Sequence, residues 1–233
     1  METRERRSMT RKMLSSKDDI EESLTRVGAS LQHDVTAYLI GGCAMILYNA
    51  KVATKDIDLV MMSDEDAEAV VAALSGTGFT EAKPEDETYR RLGATIMMQD
   101  SRGTRFDIFV KTVCRKLRIT DGMISRSTRH AVYGRLRINL VSPEDIFLFK
   151  SVTERAGDLD DMALLAERGL DWDVILGECL HQSRDVILEA FLAIRLQELE
   201  EAKGIVSPIK ATLETLAEKK LRKKKVVRHR DGV

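Results

Sequence analysis

Tyr38-Leu39-Ile40-Gly41-Gly42, followed by Thr54-Lys55-Asp56-Ile57-Asp58-Leu59-Val60, is the stretch that decides the fold of this chain. Its pattern predicts a strand, a glycine turn, a short helix and a second strand. Asp56 and Asp58 are two residues apart on the second strand, so both carboxylates lie on one face, with Cα atoms about 6.6 Å apart. Burying them without partners would cost several kcal/mol each. We therefore expect that face to lie outside the core and to carry a compensating cation, for which an oxygen-preferring divalent ion is suited.

A third acid is predicted on a later strand at residues 104–110. The turn Asp100-Ser101-Arg102-Gly103 suggests that this strand returns as a hairpin from a candidate strand at 89–98. Alternation leaves Asp107 on the face opposite the apolar residues, together with Arg105. We expect Asp107 to join the two acids of the earlier strand. The apolar face carries Phe106, Ile108 and Val110.

Composition sets the class of protein. The chain has 233 residues, 43% of them hydrophobic and 32% charged, with a formal charge of -1, so the whole molecule has no bias toward polyanions. Three widely spaced cysteines without a Cys-x-x-Cys pair indicate neither a disulfide framework nor a thiolate zinc site. No apolar run approaches the roughly 18 to 20 residues of a membrane span, and no signal peptide follows the charged N-terminus. We expect a cytoplasmic protein without a membrane partner.

The expected fold class is α+β, with a small mixed β-sheet and flanking helices over residues 1–156 and a C-terminal helical region over 157–233. The pattern of residues 117–126 is ambiguous. Residues 131–141 fit a strand pair or one long strand broken near Gly134. Apolar spacing predicts helices at 16 or 17–32, 43–49, 65–75, 142–154, 159–168, 171–179, 183–203 and 207–223. The other strands are predicted at 34–40, 56–62 and 79–81.

The glycine turn and the acids together resemble the signature of the nucleotidyltransferase superfamily, typified by DNA polymerase beta, CCA-adding enzymes and small antibiotic nucleotidyltransferases. That signature is a hydrophobic residue, Gly, Gly or Ser, about a dozen residues, Asp-hydrophobic-Asp, and a later acid between apolar residues. Here it reads Ile40-Gly41-Gly42, thirteen intervening residues, Asp56-Ile57-Asp58, and Phe106-Asp107-Ile108. The resemblance covers roughly residues 35–111.

The resemblance implies a reaction in which a nucleoside monophosphate moves from an NTP to a hydroxyl of RNA, tRNA, a protein or a small molecule, and pyrophosphate leaves. Asp56, Asp58 and Asp107 would be the catalytic residues and would hold two Mg²⁺ ions, with Asp107 also a candidate base. The nucleotide-binding residues would be Gly41, Gly42, Thr54, Lys55, Lys150 and Asp158.

Two residues depart from the family pattern. Gly42 stands where many members carry a serine whose hydroxyl helps to hold the nucleotide phosphates, so Thr54 or backbone amides would have to supply that contact. Lys51 lies near where related proteins often place an arginine, which keeps the charge but loses a bidentate grip on phosphate.

A second resemblance covers Ser142-Pro143-Glu144-Asp145, Lys150, Arg155 and the segment that begins at Asp158. This tract is similar to that of the nucleotidyltransferase-like toxins of abortive-infection and type IV toxin–antitoxin systems. It implies that Lys150 contacts the triphosphate, and that Asp158 or Asp161 holds Lys150 or Arg155 in place. Alternatively, Lys150 extends its amine out of a buried helix, and Asp158 caps the next helix.

The C-terminus is strongly basic at residues 219–225, with Arg228 and Arg230 beyond. Such a run either binds RNA or tRNA phosphates or remains a solvated surface. Two other functions therefore stay open. One is a nucleotide- or RNA-binding protein of the same fold without activity, which the missing serine and arginine favour. The other is a protein that binds a protein partner through its helical tail, such as one half of a toxin–antitoxin pair.

Overall fold

The structure is a computed structural model that describes residues 14, 17–83, 93–153, 155, 157–183 and 187–230, with side chains described as far as Arg222. Two compact units divide the chain. The first comprises Met1–Pro84, Ala94–Val110 and Arg129–Asn139, and the second comprises Glu85–Gly93, Lys111–Thr128 and Leu140–Val233. The two units alternate along the sequence, because the chain returns to the first unit after residue 128. The expected division into 1–156 and 157–233 stays a prediction about domains.

The described elements follow one another as α1 Lys17–Ser30, β1 Val35–Ile40, α2 Gly41–Leu47, β2 Asp56–Met61, α3 Asp64–Gly76, β3 Thr80–Glu81, β4 Ile96–Gln99, β5 Arg105–Val110, β6 Thr112–Val113, β7 Leu117–Arg118, α4 Asp121–Arg126, β8 Thr128–Tyr133, β9 Leu136–Leu140, α5 Pro143–Thr153, α6 Asp158–Ala166, α7 Trp172–Gln182, α8 Leu188–Lys203 and α9 Lys210–Arg230.

The first unit is built on a sheet to which seven strands of the described residues contribute, in the order β3-β4-β5-β2-β1-β9-β8. Strand β2 pairs antiparallel with β1 and parallel with β5, and β4 pairs antiparallel with β5. A parallel pair needs a crossover connection, and the chain makes it here through α3 and the β3–β4 pair. The mixed sheet is therefore a direct result of where α3 stands in the sequence.

Strands β2 and β5 form the centre of this sheet because one face of each is fully apolar. Ile57, Leu59, Phe106 and Ile108 are completely buried. The Phe79 ring packs edge-on against Phe106, with ring centroids 5.4 Å apart. At the turn before β5, Asp100 Oδ1 accepts hydrogen bonds from the backbone N–H groups of Arg102 and Thr104, at 3.0 and 2.9 Å. The Asx-type turn fixes where β5 begins and so fixes its register.

The second unit contains the β6–β7 hairpin and the helices α4 to α9. The Thr120 hydroxyl caps α4 and Asp171 caps α7, while Pro143 occupies the first position of α5, where a missing N–H costs nothing. Helix α5 packs against α6, α7 and α8, and α8 packs against α9. The Phe147 ring lies edge-on to Trp172, with centroids 5.3 Å apart. In the part of the chain that the structure describes, no helix combines the length and apolar character required to cross a bilayer.

The α+β class, the mixed sheet with flanking helices and the C-terminal helical region are confirmed. The hairpin joining β4 and β5 and the strand pair broken near Gly134 are confirmed as well. The ambiguous residues 117–126 divide into β7 and α4. Of the candidate strand 89–98, residues 89–92 lie outside the described part, and the strand observed is β4. The helix predicted from 183 begins only at Leu188, because Ser183 ends α7.

Candidate functional site

The acids of the first unit lie side by side on the two central strands. In the parallel register of β2 and β5, Asp56 pairs with Arg105, and Asp58 pairs with Asp107. These four side chains share one face of the sheet, since residues two apart on a strand point the same way. We call Asp56, Asp58 and Asp107 the acidic cluster. The sequence placed these three residues on one face, and the structure brings them together on adjacent strands.

Arg105 is the residue of this face whose role sequence analysis missed. Its guanidinium donates two hydrogen bonds to Asp107, from Nε to Oδ1 at 2.5 Å and from Nη2 to Oδ2 at 2.7 Å. The Nε atom also lies 3.7 Å from Asp56 Oδ1, and Nη2 contacts the sulfur of Met97 at 2.9 Å. The signal was present in the sequence, because a cation two residues before an acid on a strand lies beside it.

The face that carries the acidic cluster is buried, contrary to the expectation that it would lie outside the core. Exposure is 5% for Asp56, 4% for Asp58, 1% for Arg105 and 0% for Asp107. Burial raises the pKa of Asp107 to about 7, and the negative charges of Asp58 and Asp56 act in the same direction, against the attraction of Arg105. One guanidinium therefore compensates only part of the charge of three neighbouring carboxylates.

Gly41 follows β1 directly and lies against the acidic cluster. Its φ of +65° is a left-handed conformation that favours glycine, and a Cβ atom placed there would lie 2.2 Å from Asp58 Oδ2. The carboxylate of Asp58 thus occupies the space that a side chain at position 41 would fill. Burial and the charges of Asp58 and Asp56 also raise the pKa of the neighbouring Cys43 thiol, which donates a hydrogen bond to the backbone oxygen of Asp56 at 3.3 Å.

Thr54 has the same relation to Gly42. A Cβ atom at position 42 would lie 2.2 Å from Thr54 Oγ1, so the threonine hydroxyl occupies the space next to the second glycine. The backbone of Thr54 is fixed by two hydrogen bonds with Leu14, at 2.8 and 2.9 Å. Of the other predicted contacts near the turn, Lys55 is exposed and Lys51 is half-buried. Thr54 therefore places a hydroxyl beside Gly42. A contact between Thr54 and a nucleotide stays a prediction.

The acidic cluster fits a magnesium ion in part. Among the described residues, no group of three or more His, Cys, Asp or Glu side chains is arranged to hold a metal ion. Mg²⁺ in proteins is usually bound by one or two carboxylates together with water and substrate phosphates, so a three-carboxylate cage is not required. Asp56 and Asp58 supply carboxylate oxygens as donors, and Gly41 adds no side chain of its own beside Asp58. Asp107 fits less well because Arg105 engages both of its oxygens.

Lys150 and Asp158 lie in the second unit, where they pair with each other. Lys150 is 5% exposed, and its Nζ lies 2.9 Å from Asp158 Oδ1 and 2.7 Å from Asp161 Oδ2. Asp158 also accepts hydrogen bonds from the Thr153 hydroxyl and the backbone N–H of Arg155, at 2.5 and 2.7 Å. These contacts hold Lys150 between two carboxylates. A contact between Lys150 and a nucleotide stays a prediction.

We expect Asp158→Asn to destabilise the protein by about 3 kcal/mol at pH 7, because it removes one partner of a buried ion pair. Burial alone would raise the pKa of Asp158, but the charges of Lys150 and Arg155 and the hydrogen bonds from Thr153 and Lys150 outweigh it and lower that pKa. The stabilisation by Asp158 is therefore present above the ordinary aspartate pKa of about 4, and it is lost as the pH falls through the lower folded value.

Urea denaturation of wild type and this variant from pH 7 to pH 3 measures the effect. The difference in unfolding free energy should stay constant down to about pH 5 and shrink below about pH 4. Asp160→Asn is the matched control on the same helix, because Asp160 is exposed and its ion pair with Lys203 contributes at most about 1 kcal/mol. If both variants lost the same unfolding free energy, the stabilising role of the Asp158–Lys150 ion pair would be wrong.

The basic C-terminal segment is helical, since α9 extends to Arg230. One of its lysines is already engaged within the second unit. Lys220 Nζ forms an ion pair with the buried Glu189 and donates a hydrogen bond to the backbone oxygen of Ser183 at 2.9 Å. The three cysteines, all within the described residues, are buried and form no disulfide.

No protein-family model and no curated protein matches this sequence. Among solved structures, the chain is similar to a crystal structure of a provisionally named nucleotidyltransferase from H. pylori. The two chains are 15% identical with a TM-score of 0.39, and the alignment covers 90% of this chain and 98% of that chain. A similarity at this level establishes neither the family nor the activity of the chain.

Proposed function

We propose that this protein transfers a nucleoside monophosphate from an NTP to a hydroxyl acceptor, with release of pyrophosphate, and that Mg²⁺ bound by Asp56 and Asp58 is its cofactor. The observation that carries the proposal is the register of β2 and β5, which sets Asp58 beside Asp107 while Gly41 fits directly against the Asp58 carboxylate. The residue pattern and its order along the chain are those of the nucleotidyltransferase resemblance.

In this proposal the glycine turn and Thr54 hold the triphosphate. The backbone N–H groups of Gly41 and Gly42, the first two residues of α2, would donate hydrogen bonds to phosphate oxygens, and the Thr54 hydroxyl beside Gly42 would donate another. Asp56 and Asp58 orient the Mg²⁺–NTP complex. When bound, Mg²⁺ supplies charge neutralisation at the reacting phosphate and at the departing pyrophosphate. Catalysis of this kind depends mainly on positioning and electrostatics, which suits a site built on rigid strands.

Asp107 is the candidate base. A pKa of about 7 is suitable for accepting a proton from the acceptor hydroxyl near neutral pH. The bidentate contact with Arg105 opposes that role, because both oxygens of Asp107 already accept hydrogen bonds.

The test is incubation of the full chain with Mg²⁺ and each NTP labelled in turn at the α-phosphate. We expect label to move to the protein itself, to tRNA or to a co-purifying protein, with pyrophosphate formed in equal amount. EDTA should abolish the transfer. The proposal fails if none of the four NTPs gives labelled product with any of these acceptors and none binds in a Mg²⁺-dependent manner.

A binding protein without activity is the second candidate, and the engagement of Asp107 by Arg105 is the observation that favours it. Such a protein would bind NTP in the presence of Mg²⁺ at Asp56, Asp58 and the glycine turn, but no pyrophosphate would form. Calorimetric binding together with a negative transfer assay would identify it. The two functions therefore share a site and differ in turnover.

We expect Thr54→Val to weaken Mg²⁺-dependent NTP binding by about ten- to a hundredfold, because a hydrogen bond to a charged phosphate contributes about 1.5–3 kcal/mol. Valine keeps the shape of threonine and removes only the hydroxyl. Thr54→Ser restores the hydroxyl and should bind within a fewfold of wild type. Thr80→Val, on an exposed edge strand of the same unit, is the matched control. Equal affinities for Thr54→Val and wild type would remove Thr54 from the nucleotide site.

A further inference from the structure

Leu14 forms a backbone bridge to Thr54, the residue whose hydroxyl lies beside the second glycine of the turn. The Leu14 N–H donates to the Thr54 oxygen at 2.8 Å, and the Thr54 N–H donates to the Leu14 oxygen at 2.9 Å, as an antiparallel pair. Such a pair exchanges both main-chain hydrogen bonds, as in an antiparallel ladder. The bridge joins the segment before α1 to the loop that leads into β2.

The Leu14 end of this bridge is anchored in the protein. Its side chain is fully buried, and α1 begins three residues later at Lys17. The loop on the other side of the bridge is held where it leaves α2, because the Ala50 N–H donates to the Met45 oxygen at 2.7 Å. Two residues later the loop is open to solvent, since Val52 is 86% exposed. The bridge therefore fixes the loop again after its exposed part.

The position of the Thr54 backbone sets the position of its hydroxyl. Threonine is branched at Cβ and has few χ1 rotamers, so Oγ1 moves with the main chain. The side chain lies directly against Gly42, where an added Cβ atom would be 2.8 Å from Thr54 Cβ and 2.2 Å from Thr54 Oγ1. A hydrogen bond weakens steeply outside a narrow range of distance and angle. A shift of the loop would therefore take the hydroxyl away from a phosphate at the glycine turn.

We propose that Leu14 is a positioning residue of the nucleotide site, and that it acts by holding Thr54 beside Gly42 without touching the nucleotide. The inference deepens the proposed function and rests on it, because it requires a contact between the Thr54 hydroxyl and the triphosphate. It gives the segment before α1 a part in nucleotide binding, although that segment belongs neither to the glycine turn nor to the strands of the acidic cluster.

The experiment is a double-mutant cycle on the full chain, with Mg²⁺-dependent binding of non-hydrolysable NTP analogues as the readout. Leu14→Pro removes the N–H that donates to Thr54 and should weaken binding by about tenfold. In a Thr54→Val background the same change should alter affinity by less than about twofold, because no hydroxyl remains to be positioned. A general loosening of the fold would weaken binding by one factor in both backgrounds. Leu14→Met keeps the N–H and an apolar side chain of similar size, and should bind within a fewfold of wild type.

Hydrogen exchange of the Thr54 amide is a second readout, and it needs no nucleotide. Exchange should be slow in wild type and in Leu14→Met, since the amide donates to Leu14, and at least about tenfold faster in Leu14→Pro. If Leu14→Pro does not fold, Leu14→Ala weakens the same anchor by removing most of the buried side chain. Its effect on affinity should again require the Thr54 hydroxyl.

The outcomes separate this inference from the proposed function. The inference alone is overturned if Leu14→Pro, or Leu14→Ala in its place, binds NTP like wild type or loses the same factor with and without the Thr54 hydroxyl. Fast exchange of the Thr54 amide in wild type would overturn it as well. If wild type shows no Mg²⁺-dependent NTP binding, or if Thr54→Val binds as tightly as wild type, the nucleotide site on which the inference rests is rejected.

Discussion

Replacing Asp58 by asparagine should reduce nucleotidyl transfer by at least about a thousandfold, because it removes a carboxylate proposed to hold Mg²⁺, whose charge stabilisation of the transition state is worth several kcal/mol. Asp56→Asn should have an effect of the same order. Asparagine has the shape of aspartate, so the variant should still fold cooperatively, and its thermal unfolding shows whether a loss of transfer comes from a loss of fold. Initial rates with an α-labelled NTP, and thermal unfolding of the same samples, measure both effects.

The matched control for these variants is Asp64→Asn, which removes an exposed carboxylate from the first turn of α3 in the same unit. It should transfer at the wild-type rate. Transfer by Asp58→Asn within tenfold of that rate would show that the chemistry does not depend on the acidic cluster.

Gly41→Ala should destabilise the protein by about 2–4 kcal/mol and reduce transfer by about a hundredfold. The left-handed backbone at position 41 costs a side-chain-bearing residue about 1 kcal/mol, and the added Cβ would lie 2.2 Å from Asp58 Oδ2. The carboxylate must move to make room, and a displacement of about 1 Å at a reacting site lowers rates by about that factor. Urea denaturation and steady-state kinetics measure the two effects.

Gly76→Ala is the control for this substitution. Gly76 ends α3 with nothing within 4 Å of an added Cβ, so the variant should be as stable and as active as wild type. If Gly41→Ala were as stable as Gly76→Ala, the claim that the Asp58 carboxylate leaves no room for a Cβ atom at position 41 would be wrong. A stable Gly41→Ala protein with a normal rate of nucleotidyl transfer would show that Gly41 has no role in the reaction.

Much of the first unit could be predicted from sequence, because its elements carry strong local signals. Period-two alternation in β2 and β5 fixed which residues share a face, and the turn at Asp100 predicted the β4–β5 hairpin. Alternation predicted that Asp107 joins the two acids of β2, but its exact pairing with Asp58 depends on a long crossover and could not be predicted. The segment that contains β7 and α4 was ambiguous because both elements are too short to show a period.

The electrostatic state of the site could not be predicted. Two charges on one face of β2 predict that this face lies outside the core, since buried carboxylates need partners. The structure buries them, and Arg105 supplies part of the compensation from the neighbouring strand. Alternation placed Arg105 on the correct face, but only the parallel register shows that it lies opposite Asp56. The pairing of Lys150 with both Asp158 and Asp161 likewise depends on how α5 and α6 pack.

A crystal structure of the full chain with Mg²⁺ and a non-hydrolysable NTP tests the central claim most directly. The account predicts an ion about 2.1 Å from carboxylate oxygens of both Asp56 and Asp58, a typical distance for Mg²⁺, and triphosphate oxygens at the Gly41–Gly42 turn within hydrogen-bond reach of the Thr54 hydroxyl. The account would be contradicted if the ion or the triphosphate were ordered elsewhere in the protein and neither of them contacted Asp56, Asp58 or Thr54.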